Sequence, residues 1–377
     1  MMRMNEQLRS DADVGPERPR DPRPSRRFEG IDALRGIALL LVVLMHASSI
    51  AMQDLSQSSP GLETMAHFFE PLRMPTLMFL SGLFVPRSLV KGTRRYFVGK
   101  LRTILWPYFV WSALMLAFLT ATSSVSGRVI DLAFASQIFY QPLEHTWFLA
   151  YLGVYFALAW LTKAIGPLWP ASVLLTLSIL SDGSGWSRFL ALGAFFMAGV
   201  FAGRFPANLR ALGRSWSVVL VGVMAPSAAL VVLLTSGLLA PDSSLLKLLA
   251  APVVVVAAAR AAGLRRLAPW ARPLAFIGRR SIVFYLSHWP VVIITSQFLA
   301  WWGDTSVGLH TAVTVVGSLT ASTAVVVLSD RSQLVAALFR WPSRRQLPSG
   351  WPGRQDSEAV EDDVSDHGPS EPTRQGG

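Results

Sequence analysis

The feature that most restricts this chain is a series of apolar runs, each close to a bilayer in length, separated by short polar connections. They fall at roughly 31–52, 71–90, 103–122, 147–163, 168–181, 188–204, 216–237, 245–261, 281–301 and 307–329. A hydrocarbon core of about 30 Å takes about 20 helical residues to cross, and all but the short 168–181 run come near that length. Backbone surrounded by lipid must satisfy its own hydrogen bonds, which leaves helices or closed barrels, and runs this long predict helices. The expected fold is all-α, a polytopic membrane helix bundle of about ten transmembrane helices embedded in a lipid bilayer. A hydrophobic fraction of 52% against 15% charged residues agrees, as do 13 Trp and 28 Gly, both frequent in spans and at their interfaces.

A net charge of +11 invites a nucleic-acid partner. The basic residues, however, are spread between apolar runs rather than gathered on one element, so no nucleic acid is expected. With ten spans and a cytoplasmic N-terminus, the inner segments hold Arg87, Lys91, Arg94, Arg95, Arg204, Arg210, Arg214, Arg265, Arg266, Arg272, Arg279, Arg280 and Arg331. The outer segments keep only Arg128, with Arg188 and Lys247 at span edges. This is the positive-inside asymmetry, and dropping one span would reverse it for every later loop. The chain is therefore expected in the cell membrane as a multi-pass protein with both termini cytoplasmic. Residues 1–27 and 341–377 read as disordered cytoplasmic tails flanking one membrane domain at 28–340. The Arg26–Arg27 pair and the small residues near Ala47–Ala51 have the outline of an export signal. Asp32, Arg35 and His46 interrupt its apolar part, so the segment is read as a retained first span. There is no Cys, hence no thiolate nucleophile and no thiolate metal site, and no metal is expected.

Several polar residues stand inside or beside the spans. Arg35 and His46, eleven residues apart, share a helix face about 16 Å apart, with Asp32 one turn before Arg35. Ionisable groups in lipid usually face a cavity or a partner, although a hydrogen-bonded His and a snorkelling Arg would satisfy the same pattern. Arg73 opposes the charge rule, with Glu70 three residues earlier. Glu144, His145 and Trp147 cluster where the fourth run leaves an outer loop; a Trp beside a carboxylate suits a sugar, and equally suits an interfacial aromatic belt. Ser281, Tyr285 and His288 form one polar stripe that should face the bundle. Gly199 and Gly203 predict close helix packing.

The segment I-D-A-L-R-G-I-A-L-L-L-V-V-L-M-H-A, with ten residues between Arg35 and His46, resembles the opening of the membrane acyltransferase-3 family. R-M-P-T-L-M-F-L-S-G-L-F (Arg73 to Phe84), K-L-R-T-I-L-W-P-Y (Lys100 to Tyr108), H-T-W-F-L (His145 to Leu149) and Y-L-S-H-W-P (Tyr285 to Pro290) follow in the family's order, with Leu83 where the family often has Phe. The second-span form is similar to a subgroup that includes glucan-modifying succinyltransferases. The resemblance covers roughly residues 28–330 and implies an O-acyltransferase acting on an envelope carbohydrate, glycolipid or small molecule. Acyl-CoA would be its cytoplasmic co-substrate, acetyl or succinyl the acyl group, with no tightly bound cofactor. A partner protein is one route for delivering the acceptor.

On that reading His46 is the general base, since an alcohol is a poor nucleophile at neutral pH and imidazole has a suitable proton affinity. Arg35 orients the thioester or holds a donor phosphate, with Lys100 and Arg102 as further donor-binding residues. Arg73, Glu144, His145 and Trp147 are assigned to the acceptor, and Asp32, Ser81, Tyr285 and His288 support the site. Direct transfer is favoured, while Ser81 and Ser287 keep an acyl-enzyme open. The rival classes are a transporter or flippase for a polar lipid or glycan and a non-catalytic membrane subunit.

Overall fold

The computed structural model describes residues 29–121, 132–182, 184–238, 243–264, 267–303 and 306–342. All regular elements among the described residues are helical. Those that build the architecture are α1 (Glu29–Asp54), α2 (Pro60–Gly82), α3 (Thr93–Ala121), α4 (Trp147–Leu161), α5 (Leu168–Leu180), α6 (Gly185–Arg204), α7 (Trp216–Thr235), α8 (Ser244–Gly263), α9 (Ser281–Trp302) and α10 (Val307–Arg331). Of these, α1, α3, α6, α8, α9 and α10 have both the length and the hydropathy to cross a membrane. The others lie on the remaining apolar runs: α2 is more polar, and α4 and α5 are shorter. The fold is an all-α membrane bundle.

Its solvation is inverted relative to a water-soluble domain. Leu168, Val173, Val221, Met224, Ile294, Phe298 and Val316 are exposed, whereas Ser178, Ser244, Ser287, Ser296, Thr314, Ser318 and Ser322 are buried. Apolar surface on this scale suits lipid, and several of the hydroxyls bond between helices, as Ser287 does to Ser322 at 2.8 Å and Ser296 to His310 at 2.7 Å.

Two boundaries differ from the apolar runs. The second helix starts at Pro60, directly after Ser59 and eleven residues before its run, because proline is well placed at a first helical position. Glu63, His67 and Glu70 conceal that extension from hydropathy. Arg73 is consequently not at the start of this span but in its middle, 4% exposed. The third helix starts at Thr93 and passes through a π-helical turn at Leu101–Leu105. Pro107 has no N–H for the Thr103 carbonyl, and the wider turn absorbs that mismatch.

Helix α1 is central, packing on α2, α8, α9, α10 and the short helix Arg272–Arg279. Close approach rests on glycine: a Cβ at Gly199 would strike the Phe79 carbonyl, and one at Gly203 the Leu83 carbonyl. Helices α2 and α6 therefore run side by side in the same direction with backbones nearly touching, as the Gly199/Gly203 spacing predicts. The described residues among Arg87, Lys91, Arg94, Arg95, Arg204, Arg210, Arg214, Arg272, Arg279, Arg280 and Arg331 gather at the end where α1 begins, called here the basic end. Of the two tails assigned from sequence, only Trp341 and Pro342 lie within the described residues. The Trp341 N–H donates to the Arg102 carbonyl at 3.0 Å, and its ring meets Trp106 at 4.3 Å.

Candidate active site

The site is organised by a proline. Pro290, inside α9, has no N–H, so the Leu286 carbonyl one turn earlier loses its helical partner. His145 Nε2 takes that place at 3.1 Å, and the Tyr285 hydroxyl donates to the His145 carbonyl in return. His145 belongs to a 3₁₀ turn, Glu144–Thr146, preceding α4. Glu144 sits in the left-handed region at φ 44°, a conformation that costs about 1–3 kcal/mol for a non-glycine residue. That backbone turns the segment inward, so His145 is 3% exposed and His288 fully buried.

Three imidazoles and an indole then share one small volume. Ring centroids lie 5.5 Å apart for His46 and His288, 5.8 Å for His145 and His288, and 4.5 Å for His46 and Trp289. Carbonyl partners assign the tautomers of two rings. His288 Nδ1 faces the Tyr285 and Phe284 carbonyls at 2.6 and 3.2 Å, so it carries the proton and Nε2 is left bare. His145 donates from Nε2 and leaves Nδ1 bare. His288 Nε2, His145 Nδ1, Trp289 Nε1, Arg73 Nε and Arg73 Nη1 are all buried without a hydrogen-bond partner among the described residues. Buried polar atoms are nearly always satisfied, so this group of unpartnered atoms marks the histidine cluster and the neighbouring Arg73 as the candidate site.

Two cavities approach this cluster from opposite ends. The first, about 240 Å³, opens from the basic end between Arg35, Ser81, Phe84, Ile104, Phe148, Phe156, Ser281 and Ile282, and its walls are mainly apolar. The second, about 230 Å³ and the more polar of the two, has His46, Glu70, Arg73, Trp147, Arg188 and Lys247 in its lining beside apolar residues such as Val42 and Leu192; it is called here the polar cavity. Tyr285 lines both and forms the partition. A third hollow of about 460 Å³ at the basic end, lined by Arg279, Arg280, Arg340 and Trp341, shares Ile104 and Ile282 with the apolar cavity.

The sequence-predicted residues divide among these places. Arg35 lines the apolar cavity, with Nη2 3.5 Å from the Leu80 carbonyl and its guanidinium 5.7 Å from the Phe84 ring centre. Ser81 lines it too, its hydroxyl given to the Leu77 carbonyl at 2.7 Å. His46, Arg73 and Trp147 line the polar cavity, and Arg73 Nη2 binds Glu70 at 2.9 Å. Tyr285, His145 and His288 form the partition and its support. Glu144 lines neither cavity but shapes the turn that buries His145. Asp32 is one turn from Arg35, outside the cavity wall. Lys100 stands behind that wall, its ammonium 3.7 Å from the Phe156 ring centre, and Arg102 lines none of the three cavities. Ser287 bonds Val283 and Ser322 and lines none of the three cavities.

Sequence reasoning overlooks Trp289, Arg188 and Lys247 as site residues, and gives Arg279 and Arg340 no role beyond basic loops. For Arg188 and Lys247 the signal is present, because both break the charge asymmetry that the other loops obey.

A family model described as an acyltransferase domain matches residues 28–331, which is most of the chain. No curated protein and no solved structure matches it.

Proposed function

Because this chain belongs to the membrane acyltransferase-3 family, we propose that it carries acetyl or succinyl from acyl-CoA at the basic, cytoplasmic end to a hydroxyl group. The acceptor, an envelope carbohydrate, glycolipid or small molecule, enters the polar cavity from the opposite end. The observation that carries this reading is the pair of cavities meeting at Tyr285, with His46 on the acceptor side of the partition.

Arg279, Arg340 and the Trp341 ring suit the phosphates and adenine of CoA, since guanidinium binds phosphate oxygens and an indole stacks on a base. Arg280 is already held by Asp330 at 2.7 Å through both nitrogens. The pantetheine arm passes Ile104 and Ile282 into the apolar cavity, where Arg35 orients the thioester. His46 takes the proton from the acceptor hydroxyl while the oxygen attacks the thioester carbon. The new C–O ester bond forms, the C–S bond breaks, and the proton returns from His46 to the departing CoA thiolate. Tyr285 orients the partition rather than donating to substrate, because its proton is given to the His145 carbonyl. Ser81, bonded to Leu77 and outside the histidine cluster, gives no support to an acyl-enzyme, which favours direct transfer.

Protein reconstituted in liposomes and supplied with acetyl-CoA or succinyl-CoA tests this. Acceptor-stimulated release of free CoA is the expected result. Movement of an intact solute across the bilayer with no CoA release from either donor would instead establish a transporter.

A further inference from the structure

Arg73 poses a problem that acyl transfer alone does not solve. Its guanidinium is buried in the middle of a membrane helix, yet Glu70 engages only one nitrogen; Nε and Nη1 are buried without hydrogen-bond partners among the described residues, in a side chain that lines the polar cavity. An incompletely compensated buried charge is expensive. Two more cations line the same cavity from other helices: Lys247 of α8, which is buried, and Arg188 of α6, exposed at the mouth. Three cations from three helices thus line one cavity, at the end of the bundle where basic residues are otherwise sparse among the described residues. Anchoring at a cytoplasmic surface does not account for them.

We propose that this cavity binds an oxyanion, a carboxylate or phosphate, carried by one of the two substrates beside its reacting group. The proposal rests on the acyl-transfer reading and narrows its substrate class. Arg73 is the buried anchor, Arg188 draws the anion to the mouth, and Lys247 supplies charge from the facing helix. Trp147, on the same wall, offers an apolar face to the carbon skeleton that bears the anion. Two sources share this chemistry. A dicarboxylic acyl group with its thioester at the partition would extend its free carboxylate past His46 toward Arg73, and an acidic acceptor would bring its own group from outside.

Binding is measured apart from turnover. Sodium succinate and sodium phosphate, added to wild-type protein in lipid nanodiscs at an ionic strength fixed with chloride, should raise the melting temperature saturably. Arg188→Gln, an exposed change that the fold tolerates, should weaken that affinity about ten-fold, and Arg73→Gln should abolish it. A preference for succinyl-CoA over acetyl-CoA that Arg188→Gln erases assigns the anion to the acyl group. A preference for acidic over neutral oligosaccharide acceptors, erased by the same change, assigns it to the acceptor. No stabilisation beyond chloride, or stabilisation that survives both substitutions, overturns the proposal. Anion binding without CoA release keeps the site and removes the acyl-transfer reading, and CoA release without anion dependence does the reverse.

Discussion

His46 shows how far single residues could be read from the chain. Its spacing from Arg35 puts both on one helix face, and both do line cavities, one on each side of the partition. His145 was not readable in the same way. Its burial depends on a carbonyl freed by Pro290, nearly 150 positions away, and no local pattern encodes that pairing. Replacing His145 by Ala leaves the Leu286 carbonyl without its donor and should destabilise the protein by about 1–3 kcal/mol, whereas His145→Asn, which keeps an N–H donor, should recover part of the loss. Unfolding in mixed micelles measures both. Asp182, in the connection between α5 and α6, gives a pH signature. Burial pushes its carboxyl up, but hydrogen bonds from the Ser244 N–H and from the Ser187, Ser243 and Ser244 hydroxyls outweigh that and leave it below the ordinary carboxylate value. A carboxyl lowered by folding stabilises above its unfolded value of about 3.9 and loses that contribution as pH falls through the lower folded value. Melting temperature should therefore drop in this acid range in the wild type and drop less in Asp182→Asn.

Among the helices, existence was legible and some boundaries were not. The start of α2 escaped hydropathy because Glu63, His67 and Glu70 break its apolar window, although that polarity belongs to a helix lining a polar cavity. Glycine spacing, by contrast, gave close packing at Gly199 and Gly203, and the fold supplies α2 as the partner. Gly199→Leu would drive those helices apart, moving Arg73 and Ser81 with α2, and should cost about 1–3 kcal/mol or more by overpacking, read as lower melting temperature and yield. Pro290→Ala has a different expected outcome. It restores an N–H to the Leu286 carbonyl, which then competes with His145 for that acceptor. The bundle should stay folded while turnover falls roughly ten-fold or more, because small displacements at a reacting centre are costly.

At the scale of the whole molecule, the series of apolar runs and the charge asymmetry are enough to place a bundle in a membrane. They cannot place cavities, which arise where helices fail to fill space, and so the partition at Tyr285 and the basic hollow at Arg279 and Arg340 emerge only from the assembled fold. Sidedness is open to direct measurement, since the chain has no native Cys. A single cysteine at Arg210 should react with an impermeant maleimide only from the cytoplasmic face of oriented vesicles, and one at Trp186 only from the other. Labelling of both from one face would overturn the proposed path from an inner donor to an outer acceptor. On the proposed mechanism, acyl transfer across the partition depends on proton removal by His46. The most direct test is CoA release from acyl-CoA by reconstituted wild-type and His46→Gln protein, each shown to be folded by its melting temperature. Acceptor-dependent release by the wild type and a loss of at least about 10²-fold in the variant are expected; release at the wild-type rate by folded His46→Gln protein would rule out His46 as the base.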